Sequence, residues 1–364
     1  MWSDAGRLRQ TVPMVRITSL PDPRHPDPTD APPLRWGVLA PGGIAADFTD
    51  ALHKHTTQRV VAAGSRSAER AAAFAAAHGV ERSYGSYVEL VEDPGVDVVY
   101  VASPHTQHAE HALLAIAAGK SVLVEKPLAA DAEDARRIER AAKAAGVFAM
   151  EAMWTRYLPQ TDIIRQLLND GVLGDVRIVT ADFGGNARFD PTSRLFDPAL
   201  GGGALLDLGV YVVSWASFAI GRPAGVIAAG TLAPTGVDEQ VSLILSSLSG
   251  AQALLSTGLR AATPSLATIC GSEARVETGS PFWSASGLRL VQGGDAPVLD
   301  WNDPYGRPHR EGMSYEAAAL ARFVTEGRTD SPVHPLAEAV QTIETIDEAR
   351  RQLGVTGVGS ATAG

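Results

Sequence analysis

The chain has 364 residues, 45% of them hydrophobic, and carries 41 acidic against 31 basic side chains for a formal charge of -10. That length suits about two domains with sizeable cores, and an acidic balance without a dense basic run gives phosphate backbones and anionic lipid nothing to hold, which argues against nucleic acid and membrane as partners. The single cysteine, Cys270, excludes an intrachain disulfide framework and fits a reducing cytoplasm.

The first 33 residues contain seven prolines and no compact apolar segment, which predicts a disordered Pro-rich tail rather than a signal peptide. From residue 34 the pattern is regular. LRWGVLA reads as a strand, PGGIAADFTDALHK as a glycine-rich turn entering a helix, and RVVAAGS as a second strand. An alanine-rich helix closed by Gly79 follows, then VDVVYVAS as a third strand, a helix over 108–120, and SVLVEKP as a fourth strand; one more helix and strand run to Trp154. Strands alternating with helices predict an α/β Rossmann domain, a doubly wound parallel sheet, over 34–158.

Beyond about residue 160 polar and apolar residues alternate in 175–189, 239–260, 268–270, 274–279 and 287–292. This predicts an α+β domain over 159–355 with an open, mainly antiparallel sheet, one face packed and one free. The free face suggests a homodimer or higher homo-oligomer formed through that sheet. ALLDLGVYVVSWASFAIG at 204–221 is long enough to span a membrane, but Asp207, its serines and the lack of charged flanks favour a buried helix. Two amphipathic helices come late, and 356–364 reads as a flexible tail.

The turn Ala40, Pro41, Gly42, Gly43, Ile44, Ala45 stands where a dinucleotide fingerprint belongs, after a strand and opening a helix. Its first glycine is missing, yet Gly42 still admits backbone N–H groups to a pyrophosphate. At the end of the second strand, where an NAD site keeps an acid, the chain has Ser65, Arg66 and Ser67. Arginine and two hydroxyls suit a 2′-phosphate, so NADP is favoured over NAD; the competing reading of Arg66 is a solvated helix-start residue.

Only four residues are lysine, against 27 arginines. A guanidinium cannot give up its proton, so Lys126, leaving its strand at the carboxyl edge where parallel sheets bind ligands, is a candidate for chemistry. Pro127 biases its backbone towards an extended form. In a helix over 204–218, Asp207 and Tyr211 share one face, with Gly209 leaving room for a close neighbour. The residues alone also admit a helix-start acid and a core aromatic there. His105, His108 and His111 are spaced three apart, but on a helix they diverge, and no acid or cysteine completes a metal set.

Lys126 in VEKP, the turn at 40–45, and Asp207 with Tyr211 together resemble the Gfo/Idh/MocA family of oxidoreductases, over about 34–355; EAMWTRYLP, GGGALLDLGVY and GMSYEA look most like its subgroup of dihydrodiol and NADP-dependent D-xylose dehydrogenases. The resemblance implies that Lys126 is the catalytic lysine, that Glu125 and Pro127 shape the nicotinamide site, and that Asp207 and Tyr211 fill a substrate-side motif in which commoner members carry histidine. It places His105 and His108, after Ser103, near the cofactor ribose and nicotinamide. It also implies that Trp154 and Arg156 line the nicotinamide and substrate cleft, with Phe183 and Asn186 facing the same space. The expected activity is hydride transfer between the hydroxyl carbon of a sugar, polyol or dihydrodiol and NADP; the alternative is a non-catalytic nucleotide- or sugar-binding regulator on the same fold. A phenol ordinarily titrates near ~10, so Lys126 close by is expected to lower Tyr211 towards neutrality and make it the base.

Overall fold

The computed structural model describes residues 16–24 and 27–355; the predicted tail at 356–364 lies outside them, as does residue 1–15 of the predicted N-terminal tail. The first half builds β1 (Arg35–Leu39), α1 (Gly43–His55), β2 (Arg59–Gly64), α2 (Ala68–His78), β3 (Arg82–Tyr84), α3 (Tyr87–Glu92), β4 (Val98–Val101), α4 (His108–Ala117), β5 (Ser121–Glu125), α5 (Ala132–Ala145) and β6 (Ala149–Ala152). The strands form a parallel six-stranded sheet in the order β3-β2-β1-β4-β5-β6. The order reverses between β1 and β4, which opens a crevice at their carboxyl ends. β4 is buried along its whole length and β5 along all but its first residue, as strands covered on both faces must be. The predicted third and fourth strands are β4 and β5. The three-residue edge strand β3 and short α3 escape a reading based on periodicity, since neither is long enough to show a period.

The second half contributes α6 (Pro159–Asn169), β7 (Val176–Gly184), α7 (Val210–Ile220), β8 (Gly225–Leu232), β9 (Asp238–Ser246), β10 (Gln252–Gly258), β11 (Ala267–Gly271), β12 (Ala274–Thr278), β13 (Gly287–Gln292), β14 (Leu299–Asn302), α8 (Met313–Thr325) and α9 (Leu336–Leu353). The eight-stranded sheet runs β14-β13-β12-β11-β7-β10-β9-β8 and is antiparallel except where β7 lies parallel to β10. One face is covered by α7 and α9. The apolar stretch reaching Ile220 is 72% buried against these elements, as expected of a core helix. On the other face Ile227, Ile244 and Leu254 are exposed cross-strand neighbours. Cys270 on β11 is half-buried.

The prediction of disorder before residue 34 is corrected for 16–24 and 27–33, which are strapped across the second half of the chain. Ile17 exchanges two hydrogen bonds with Gln292, Arg24 forks onto Asp162 of α6, and Asp27 receives Arg307 while its carbonyl receives Arg322. Apart from the short 3-10 turn Pro28–Asp30 the segment is irregular, and it docks because the body supplies its polar partners.

His105, just after β4, is buried, and its Nδ1 lies 3.0 Å from the Gly201 carbonyl of the second half. Burial, helped by nearby His108 and Lys126 and opposed by Asp207, holds its pKa down at about 3 against 6.5. Between those values the unfolded chain binds a proton that the folded chain refuses. Stability therefore falls as pH drops through that window, by up to about 1.4 kcal/mol per pH unit for this ring. Unfolding free energies from urea titrations between about pH 7 and pH 5 should decline less steeply for His105→Asn than for the parent chain; equal slopes would show that the ring is not the source.

Candidate active site

A cleft of about 830 Å³ lies at the carboxyl ends of β1, β4 and β5 and is roofed by the second half of the chain. Its floor is the predicted glycine turn. Ala40 takes the left-handed backbone, φ 62°, that the absent first glycine would adopt freely, at a cost of roughly 1–2 kcal/mol. Gly42 caps α1 with no side-chain partner, and the first turn carries no acid. A Cβ on Gly42 or Gly43 would meet nothing within 4 Å, so the space over these N–H groups is open. An open cradle at an uncapped helix start fits a dinucleotide pyrophosphate.

At the adenosine end Ser65, Arg66 and Ser67 border the cleft as expected, and Arg70 joins them. Ser67 Oγ accepts the N–H of Arg70 and Ser65 Oγ that of Ser67, which leaves each hydroxyl proton to donate. Arg70 was legible in principle, since it stands four residues after Arg66 at the start of α2.

Ser103, His105 and His108 border the middle of the cleft. Ser103 Oγ is buried without a hydrogen-bond partner. His108 has both ring nitrogens engaged, Nδ1 2.7 Å from the Pro127 carbonyl and Nε2 2.8 Å from that of Ser103, so it ties the ends of β4 and β5 together. His111 packs edge-on against Tyr87 instead.

Lys126 emerges where β5 ends. Its Nζ donates to the Asp207 carbonyl at 2.7 Å and to Asp207 Oδ1 at 3.2 Å, and lies 5.1 Å from the centre of the Tyr211 ring. Asp207 sits in a π-helical turn, Leu205–Gly209, that opens α7; Gly209 brings that turn against β10, for a Cβ there would lie 3.2 Å from Thr257 Cγ2. Arg194 also reaches Asp207 Oδ1, at 3.3 Å. Burial alone would raise the Asp207 carboxyl, but the Lys126 and Arg194 charges outweigh it and hold the group well below the usual carboxylate range. Beneath them Tyr100 donates a very short hydrogen bond to Glu125, whose other oxygen accepts the Lys126 N–H at 3.0 Å.

The expected acidification of Tyr211 is not what this geometry gives. Burial, then the charge of Glu125, pushes its phenol well above 10, against the Trp154 Nε1–H that donates to its oxygen at 2.9 Å. Lys126 Nζ lies over the ring, 5.1 Å from its centre, and its proton donors are turned to Asp207.

The outer wall is aromatic. Phe183 stacks on Trp283 with centroids 5.1 Å apart, and Trp283 meets Trp154 edge-on. Trp283 lies in a loop between strands, where no periodicity could single it out. Other expected residues lie elsewhere. Arg156 is buried away from the cleft, paired with Glu338 and the Ser214 carbonyl. Pro127 and Asn186 do not line the cleft; the Pro127 carbonyl meets His108 and Asn186 is bridged to Arg260.

Comparison with known proteins agrees with this architecture. Residues 34–153 match the oxidoreductase family with an NAD-binding Rossmann fold, Gfo/Idh/MocA, and residues 162–277 match the Gfo/Idh/MocA C-terminal domain. The chain is 38% identical to trans-1,2-dihydrobenzene-1,2-diol dehydrogenase of Xenopus tropicalis over 88% of its own length and 98% of the relative's, and 35% identical to the Homo sapiens protein of that name over 89% and 98%. Among solved structures, aldose-aldose oxidoreductase from Caulobacter crescentus superposes with a TM-score of 0.78 at 25% identity, covering 89% of this chain and 98% of the other. A 3-ketoreductase from Actinomadura kijaniata in complex with NADP and TDP-benzene superposes with a TM-score of 0.74 at 27% identity, covering 88% and 98%. With both halves matched and the cleft between them built from the same chain, this protein belongs to the Gfo/Idh/MocA family of oxidoreductases.

Proposed function

We propose that the protein is a cytoplasmic NADP-dependent dehydrogenase that oxidises a secondary hydroxyl of a vicinal diol or sugar. The observation that carries this reading is the convergence of Lys126, from the Rossmann half, with Asp207 and Tyr211, from the other half, in one cleft. The nicotinamide of a bound dinucleotide supplies the hydride acceptor. The chain's own residues manage the proton: Lys126 Nζ and Asp207 hold the substrate hydroxyl, Tyr211 Oη exchanges the proton, and Lys126 steadies the oxygen as charge develops on it. Phe183, Trp154 and Trp283 offer flat apolar walls to the carbon face of a ring. The named activity of the dihydrobenzenediol relatives supports the same substrate class.

Tyr211→Phe should reduce turnover at least about 100-fold with NADP affinity intact; near-native turnover would refute the role. Because the resting phenol is held protonated far past neutrality, oxidation of a diol should accelerate steadily as pH rises, whereas reduction of the matching ketone should be flat across the same range. Tight cofactor binding without turnover on D-xylose, D-glucose or a trans-dihydrodiol would instead point to a regulator.

Arg66 and Arg70 border the cleft, whose only lining acids among the described residues are Glu125 and Asp207. Replacing both by alanine should raise KM for NADP by about 10- to 100-fold and leave KM for NAD nearly unchanged; equal losses for the two would exclude a 2′-phosphate role.

The row Ile227, Ile244, Leu254 on the open sheet face fits a second copy of this chain as its cover, since paired sheets bury such rows. Ile244→Asp with Leu254→Asp should give a monomer in sedimentation velocity with cofactor binding retained; a parent chain that is monomeric at every concentration ends the idea.

A further inference from the structure

One cation in the cleft comes from far along the chain. Arg310 stands on the turn His309–Gly312 that leads into α8, yet it borders the cleft with Gly42 and Gly43. The turn is pinned along α1. Glu311 accepts from Lys54 Nζ at 2.7 Å and lies 2.7 Å from His55 Nε2, both in the last turn of that helix. Gly312 must lack a side chain, because a Cβ there would lie 2.9 Å from Cζ3 of Trp154. Between these anchors the Arg310 guanidinium pairs with Asp47.

Asp47 lies four residues into α1 from Gly43, about one helical turn or ~6 Å along the axis, and Arg310, paired with it, borders the same cleft as Gly42 and Gly43. Its side chain is 57% exposed and that of Asp47 41%, and an ion pair so exposed contributes little to stability. A stronger anion at the helix start can therefore draw the arginine away. The turn Ala40–Gly43 has no basic side chain of its own.

Resting on the reading of the cleft as a dinucleotide site, we propose that Arg310 is a pyrophosphate clamp: it exchanges Asp47 for the diphosphate of the bound cofactor and so couples cofactor binding to the seating of the second half of the chain over α1. The exchange involves no covalent step. Calorimetric titration of the whole protein with NADP, NAD, ADP-ribose and 2′-AMP tests it. Arg310→Ala should weaken the three diphosphates alike, by about tenfold, and leave 2′-AMP, which has no diphosphate, as it was. Asp47→Asn, which removes the competitor, should tighten the same three. If Arg310→Ala leaves NAD and NADP within about twofold of the parent, the clamp is refuted while the dinucleotide reading stands. Weakening of 2′-AMP to the same degree would assign the loss to a damaged Rossmann site and also refute it, as would weaker binding in Asp47→Asn. Failure of the parent chain to bind any dinucleotide would overturn both.

Discussion

The contact between Lys126 and Asp207 is the constraint on which the cleft depends. Each belongs to a different half of the chain, and their side chains are only 13% and 10% exposed. A buried ion pair adds little net stability over apolar packing, but removing one partner strands the other's charge at a cost of roughly 3–5 kcal/mol. The halves are thus held in register at one point by a penalty for separation rather than by a large attraction. Arg194 changes the consequence of that arrangement. Because it reaches the same Asp207 oxygen, the carboxylate keeps a cation when Lys126 turns to another oxygen. The lysine can be structural at rest and still be available to a ligand.

What was legible in the sequence was local. The end of β5 announces Lys126 because a buried strand cannot carry an ammonium further in, and the turn after β1 announces a phosphate cradle even without its first glycine, since Ala40 accepts the left-handed backbone. Asp207 and Tyr211 could be paired by spacing alone, although the turn between them is π-helical. Arg194, Trp283 and Arg310 carry no such signal. They sit on loops or a short turn, and their approach to the cleft is decided by contacts with elements distant in sequence, such as α1 for the turn that carries Arg310. β8 was invisible for a related reason: GVIAAGTL at a sheet edge has too many small residues to show alternation. Arg156 shows the converse error. It follows Trp154 closely, but in the 3-10 turn Trp154–Tyr157 the two side chains diverge, one to the cleft and one to Glu338.

The phenol of Tyr211 shows why proximity is a poor guide to titration. A cation about 4 Å from a phenolate oxygen would favour ionisation by several kcal/mol at an effective dielectric near 20. Here the ammonium lies 5.1 Å from the ring centre with its protons given to Asp207, and its attraction does not outweigh the loss of solvent around the phenol. Burial then dominates, with Glu125 adding a like charge from below. The indole of Trp154 holds the phenol oxygen in place and fixes the direction in which its proton can leave.

In the proposed chemistry these contacts change partners in sequence. At rest the ammonium is committed to Asp207, and Tyr211 keeps its proton. A substrate oxygen entering between Lys126 and Tyr211 draws the ammonium off Asp207, which Arg194 continues to neutralise, and brings it beside the phenol oxygen rather than the ring. Only then does the charge geometry favour a phenolate, and the phenol proton must pass to solvent before that oxygen can take the proton of the substrate hydroxyl. On that proposal the base is assembled by the substrate that needs it, and a cleft without substrate keeps its phenol protonated.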